Sequence, residues 1–260
     1  HSVLLSELKE KGYEPLIFGK EHPARDLLFA RLWDPAQTVF DPAALYLGST
    51  AQMPDPATDS EFKFFCCGGP VDFSRYGRSP FTLAYFGSAV SQAALFNASL
   101  ESISRLQEIS AGMHLLVNAL FTGNGLQYLV DTAAQIFGNP IYVVDLQHKY
   151  LAISAGLIPD NAFFTAESQS GYISEKGIAS IRANRLDEKV RKSGTAYYYV
   201  NELVQKGMLV DAVRIQGIEV GHIMMLESER PFRDFDADFF HRFSNLVSME
   251  LQKDSAYTRN

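Results

Sequence analysis

A chain of 260 residues that is 47% hydrophobic and 20% charged has enough apolar side chains to bury a sizeable core in one large domain or two of ordinary size. Its 23 Lys and Arg stand against 30 Asp and Glu, a net charge of −7 with no basic run, which excludes non-specific gripping of nucleic acid by this segment. No apolar run reaches the about 18 residues that a membrane span needs, and the two cysteines, adjacent at 66 and 67, cannot form a disulfide framework. A reducing, cytoplasmic location is the expectation.

In chain order, Leu4 to Tyr13 and Pro23 to Leu32 have the spacing of short amphipathic helices, the second with Leu27, Leu28 and Leu32 on one face. Strands are expected at Ala44–Leu47, Phe62–Cys67 and Phe81–Phe86, separated by loops rich in Pro, Asp and Gly. These make a small α/β domain over residues 1–87. Neighbouring strand residues face opposite ways, so Cys66 and Cys67 read as one thiol on each face, with a redox pair as the alternative.

Ser88 is a candidate cap for a connecting helix over 88–123, uninterrupted from Ala89 to Phe121 except at Gly112. At 1.5 Å per residue it reaches roughly 50 Å, more than one small domain needs. Ile103, Leu106, Ser110, Met113, Val117 and Leu120 recur at alternating spacings of three and four, as in a coiled-coil seam. The seam reads as a homodimer surface; the alternatives are a helix packed on its own domain, or one broken near Gly112.

Beyond it, Asn124 caps a helix carrying Leu126, Leu129, Val130, Ala133 and Phe137 on one face. Gly138 closes that helix, Pro140 prevents its continuation, and Ile141–Val144 and Tyr150–Ile153 form a hairpin around a polar turn. Gly156 to Gly171 reads as a loop containing Phe163 and Phe164. Short helices follow at Ser174 and Leu186, then strands at Ala196–Val200, Met208–Gln216 and Ile218–Leu226, then a last helix with Phe239, Phe240, Phe243, Leu246, Val247 and Leu251 on its buried face. The order is that of an antiparallel sheet with terminal helices on one side and loops plus short helices on the other, over residues 124–253, with a polar tail at 254–260. The fold class is therefore α+β.

The segments GNPIYVVDLQHKYLAIS, ISEKGIASIRANRLDEKVRKSGTAYYY and VRIQGIEVGHIMMLESERPFRDFD resemble the sensor half of PucR/CdaR-type transcriptional regulators, and ALFNASLESI at 94–103 is similar to the amino-terminal part of that family. The resemblance implies a GAF-like domain after residue 124 that binds a small-molecule effector, a homodimer, and DNA contact through a C-terminal helix-turn-helix. The sequence runs out as QKDSAYTRN, so it reads as a fragment ending before that helix-turn-helix.

No phosphate loop, metal-ligand spacing, nucleophile elbow or Cys-x-x-Cys is present, so neither catalysis nor a metal or cofactor is expected. Strand parity proposes a binding site instead. Val220, His222, Met224 and Leu226 face one way, and Gly221, given room for a helix backbone, faces the other. Arg214, Tyr197 and Tyr199 join His222 and Met224 on the expected pocket face, where an Arg among aromatics would suit a planar or carboxylate-bearing metabolite. Tyr142, Phe163, Phe164 and Tyr172 complete the candidates. The plainer alternative makes Arg214 a solvated strand residue and His222 a satisfied core residue. A second functional reading is a GAF-fold dimerisation scaffold whose cavity is filled by its own side chains.

Overall fold

The computed structural model describes residues 2–20, 27–155 and 162–253. The chain divides into two compact units, residues 1–109 and 110–260, a division that falls within the long helix. Each unit has its own five-stranded sheet.

The first unit contains α1 (Ser2–Glu10), β1 (Leu16–Gly19), β2 (Phe29–Leu32), β3 (Ala44–Ser49), β4 (Lys63–Cys67) and β5 (Thr82–Tyr85). Its sheet runs β1-β5-β4-β3-β2, parallel except where β1 meets β5. The expected helix at Pro23–Leu32 is corrected here: residues 21–26 lie outside the described residues, and Phe29–Leu32 pairs with β3 from Phe29 opposite Ala44. A four-residue edge strand shows too few alternations to compete with the chance helical spacing of its leucines. The cysteines obey the parity rule. Cys66 packs with Tyr46, Phe64 and Leu83, whereas Cys67 packs on the opposite face with Leu45, Leu47, Phe65 and the α1 leucines. Burial pushes the Cys66 thiol up to about 12, which suits a core residue and not a redox pair.

The long helix α2 (Gln92–Phe121) starts later than expected, with the Ser91 hydroxyl accepting from the Ala94 amide at 3.1 Å. It continues without a break through Gly112. There the missing side chain makes room for Phe239, whose ring would lie 2.5 Å from an added Cβ. Part of the expected dimer seam packs within the chain. Ile103 belongs to the first unit's core with Leu106 against it, and Leu120 is 3% exposed within the second unit. Met113 and Val117 are half-buried.

The second unit follows the expected order: α3 (Gly125–Phe137), β6 (Ile141–Asp145), β7 (Tyr150–Ile153), α4 (Ala162–Ser170), α5 (Glu175–Ala183), α6 (Leu186–Ser193), β8 (Tyr197–Asn201), β9 (Lys206–Ile215), β10 (Ile218–Leu226) and α7 (Asp236–Gln252). The sheet runs β7-β6-β10-β9-β8 and is antiparallel throughout. Gly138 ends α3 in the left-handed region, its N–H donating to the Ala134 carbonyl at 2.8 Å, and the hairpin turn is fixed by the Asp145 carboxylate accepting from the Gln147 and Lys149 amides.

One face of this sheet lies under α3 and α7. Phe137 is fully buried, its ring centroid 4.6 Å from that of Phe239, 5.8 Å from Phe240 and 6.1 Å from Phe243. Gly221 differs from expectation: the close approach it allows is by the β6 backbone, with the Val144 carbonyl oxygen 2.1 Å from where a Cβ would sit, next to a bulge that re-registers β10 between Glu219 and Gly221.

Candidate functional site

The other face of the second sheet carries the site. Tyr142, Val144, Met208, Val210, Ala212, Met224 and Leu226 project from it and are covered by Ile173 and by Leu186 and Val190 of α6. Register explains the arrangement: Tyr199 lies opposite Met208 and Met208 opposite Leu226 in one row, while Met224 lies between Val210 and Tyr142 in the next, so residues from β8, β9, β10 and β6 meet in two neighbouring rows of the sheet. Tyr150 stands opposite Val144 on the hairpin and therefore shares the face. Above the row, α5 begins at Ser174, whose hydroxyl accepts from the Gly177 amide at 3.2 Å.

Between the sheet row and these helices is a cavity of about 30 Å³, space for one or two waters. Tyr142, Tyr150 and Tyr199 contribute phenol rings to it, and Met208 and Met224 contribute sulfur. Its polar remainder comes from Glu167, Ser180 and Asn201. Glu167 is 3% exposed; one carboxylate oxygen accepts from the Tyr150 hydroxyl at 2.8 Å and the other from the Ser174 amide at 2.7 Å. The Tyr199 hydroxyl and the Asn201 amide both donate to the Met208 sulfur, at 3.4 and 3.3 Å.

Burial raises all three phenols. Tyr199 is pushed up to about 12, and for Tyr142 and Tyr150 the neighbouring Glu167 charge adds to desolvation. The hydroxyls are thus neutral at physiological pH and serve as hydrogen-bonding groups.

Of the candidate residues, Tyr142, Tyr199 and Met224 line the cavity. Arg214 does not. It is on β9 six residues beyond Met208, roughly 20 Å along the strand, and is half-exposed. The expected carboxylate-binding Arg is therefore not part of this cavity. His222 lies on the correct face, opposite Ala212 and Val144, but under α6 and outside the lining. Its Nε2 is 3.4 Å from Glu219 and 3.9 Å from Asp187, and burial holds its pKa below the usual histidine value despite both carboxylates. Tyr197 faces the same layer one pair further along, opposite Val210. Tyr172 is 48% exposed, tied to Lys149 only by a single bridge, and lines nothing in the cavity. Phe163 and Phe164 fall in α4, a helix where a loop is expected, and their side chains lie outside the described residues.

Sequence reasoning missed Tyr150, Met208 and Glu167. Extending the same alternation to β7 and β9 finds the first two. Glu167 has no such signal, since it comes from the segment expected to be irregular.

No protein-family model matches the chain, and no curated protein matches it. Solved structures similar to it include the cofactor-binding GAF domain of the nutrient sensor CodY from Clostridium difficile, at 16% identity and a TM-score of 0.35 over 55% of this chain and 97% of that one. The GAF domain of a phosphoenolpyruvate-protein phosphotransferase from Acinetobacter gives 14% identity and a TM-score of 0.37 over 60% and 97%. The GAF domain of A. aeolicus nlh2 in an inactive state gives 11% identity and 0.37 over 57% and 98%.

Proposed function

We propose that the chain is the effector-sensing region of a PucR-type transcriptional regulator, that residues 110–260 contain a GAF-type sensor domain, and that a small molecule binds in its cavity. The observation that carries this reading is the cavity itself: a partly enclosed, largely apolar space on the sheet face opposite α3 and α7, into which three phenols and one buried carboxylate converge. The reading is non-catalytic and cytoplasmic. Among the described residues no group of three or more His, Cys, Asp or Glu side chains could hold a metal, and no helix is long and apolar enough to cross a membrane.

The route for the signal is strand β9. Met208 projects into the cavity, while Asp211, on the other face, is 1% exposed and accepts hydrogen bonds from His241 Nδ1 at 2.6 Å and Ser244 Oγ at 2.7 Å, both on α7. A ligand that binds one placement of β9 better than another would bias α7 by that difference in affinity, and in a homodimer the bias would pass to the partner. DNA contact is assigned to none of these residues, in keeping with the net charge of −7.

A second reading, a GAF-fold dimerisation scaffold without ligand, is favoured by one observation: the cavity is far smaller than the roughly 300–1,000 Å³ of a drug-sized ligand site. Calorimetry on the whole chain with a panel of small metabolites, alongside Ile181→Trp to fill the cavity, separates the two. Binding that Ile181→Trp abolishes supports sensing; no binder, from a chain that sediments as a dimer, supports the scaffold.

A further inference from the structure

The lining of the cavity has a consistent electrostatic character. Among the described lining residues there is no Lys, Arg or His, and Glu167 is the one carboxylate, almost fully buried at the rim of three phenol rings. The ring centroids of Tyr142 and Tyr150 are 6.1 Å apart and their planes are inclined at 58°, so the two rings form adjacent walls and not a stack. Met208 and Met224 add polarizable sulfur. Both Glu167 oxygens already accept one hydrogen bond, and each keeps a lone pair for a further donor. Electron-rich ring faces, soft sulfur and a desolvated carboxylate are together the chemistry that recognises an ammonium group and repels an anion.

On the reading of this cavity as a ligand site, we infer that it takes a small organic cation, a primary or methylated amine headgroup. A carboxylate is disfavoured by the same groups: an anion would sit beside Glu167 with no cation in the lining to offset it, which costs both desolvation and repulsion. The volume, space for one or two waters, matches a headgroup of about two heavy atoms. Glu167 would supply the charge and a hydrogen-bond acceptor, and Tyr199 a ring face from the β8 side.

The test uses the whole chain and ligand-observed NMR titration with methylammonium chloride, sodium acetate and ethanol, as cation, anion and neutral probe of similar size, at constant ionic strength. Methylammonium should bind at least about tenfold more tightly than acetate, and Glu167→Gln should weaken it by about tenfold or more. Tyr199→Leu should weaken it several-fold while Tyr199→Phe, which keeps the ring, stays within about threefold of the parent; this pair reports independently should Glu167→Gln fail to fold. Acetate or ethanol bound as tightly as methylammonium, or methylammonium binding unchanged in both Glu167→Gln and Tyr199→Leu, would overturn the inference and leave the ligand site standing. No binding of any of the three probes would overturn the inference and count against the ligand site as well.

Discussion

The two faces of the second sheet are built from the same strands and solve opposite problems. The face under α3 and α7 is filled by interlocking phenylalanines, with Gly112 giving way to Phe239 so that the α2 backbone can come close. A buried polar pair interrupts it, Asp211 and Ser244, and Asp211 is bonded to two residues of α7. The opposite face is covered by short helices that supply Glu167 and Ser180, and the fit is incomplete, leaving a cavity in which Glu167 is bonded to Tyr150. The difference teaches where information can enter the domain: a close-packed layer transmits displacement, whereas a partly enclosed gap can accept a ligand.

Breaking the packed face should have the largest effect. Phe137→Ala removes the ring that contacts Phe239, Phe240 and Phe243, and should cost about 3–5 kcal/mol, read as a fall in the chemical-denaturation midpoint. Asp211→Ala is next. It strips the His241 and Ser244 side chains of a charged acceptor and should cost about 2 kcal/mol, with loosening of α7 visible as faster amide exchange there.

The contrast between the faces was only half legible in the sequence. The period of α3 and α7 and the alternation of β10 identify the packed face, because a buried stripe leaves a direct mark on residue order. Alternation also puts Tyr199 and Met224 on the cavity face, whereas Tyr142 enters the candidates as an aromatic residue of the hairpin. Alternation could not exclude Arg214, since parity fixes a side and does not say where along the strand the cavity lies, and that offset is what removes Arg214 from it. Glu167 was hidden for another reason: its helix has little amphipathic pattern, and its partners, Tyr150 and the Ser174 amide, are known only once the chain has folded. The regular spacing on α2 also has a source within the chain, where Ile103 and Leu120 are buried.

A smaller effect should come from His222, on the cavity side of the sheet. Its folded-state pKa is depressed by burial, so the unfolded chain binds the proton more readily. The sign follows: its contribution to stability is full above the unfolded histidine pKa near 6.5 and is lost as pH falls from there through the folded value. His222→Gln should flatten that acid-side slope in thermal melts taken between pH 7 and pH 5, on the order of 1 kcal/mol or less. An unchanged slope would remove His222 from the account of acid sensitivity. The smallest effect is expected from Tyr172→Ala, within about 0.5 kcal/mol and without change in ligand binding, because the ring is exposed and off the cavity.

The most direct measurement of the central claim is methionine-methyl NMR of the whole chain, whose six methionines include two in the cavity, Met208 and Met224. Titration with a small amine should move the Met208 and Met224 methyl signals first and leave that of Met249, exposed on α7, largely in place. Saturating shifts at Met249 with the two cavity methyls unmoved would contradict it.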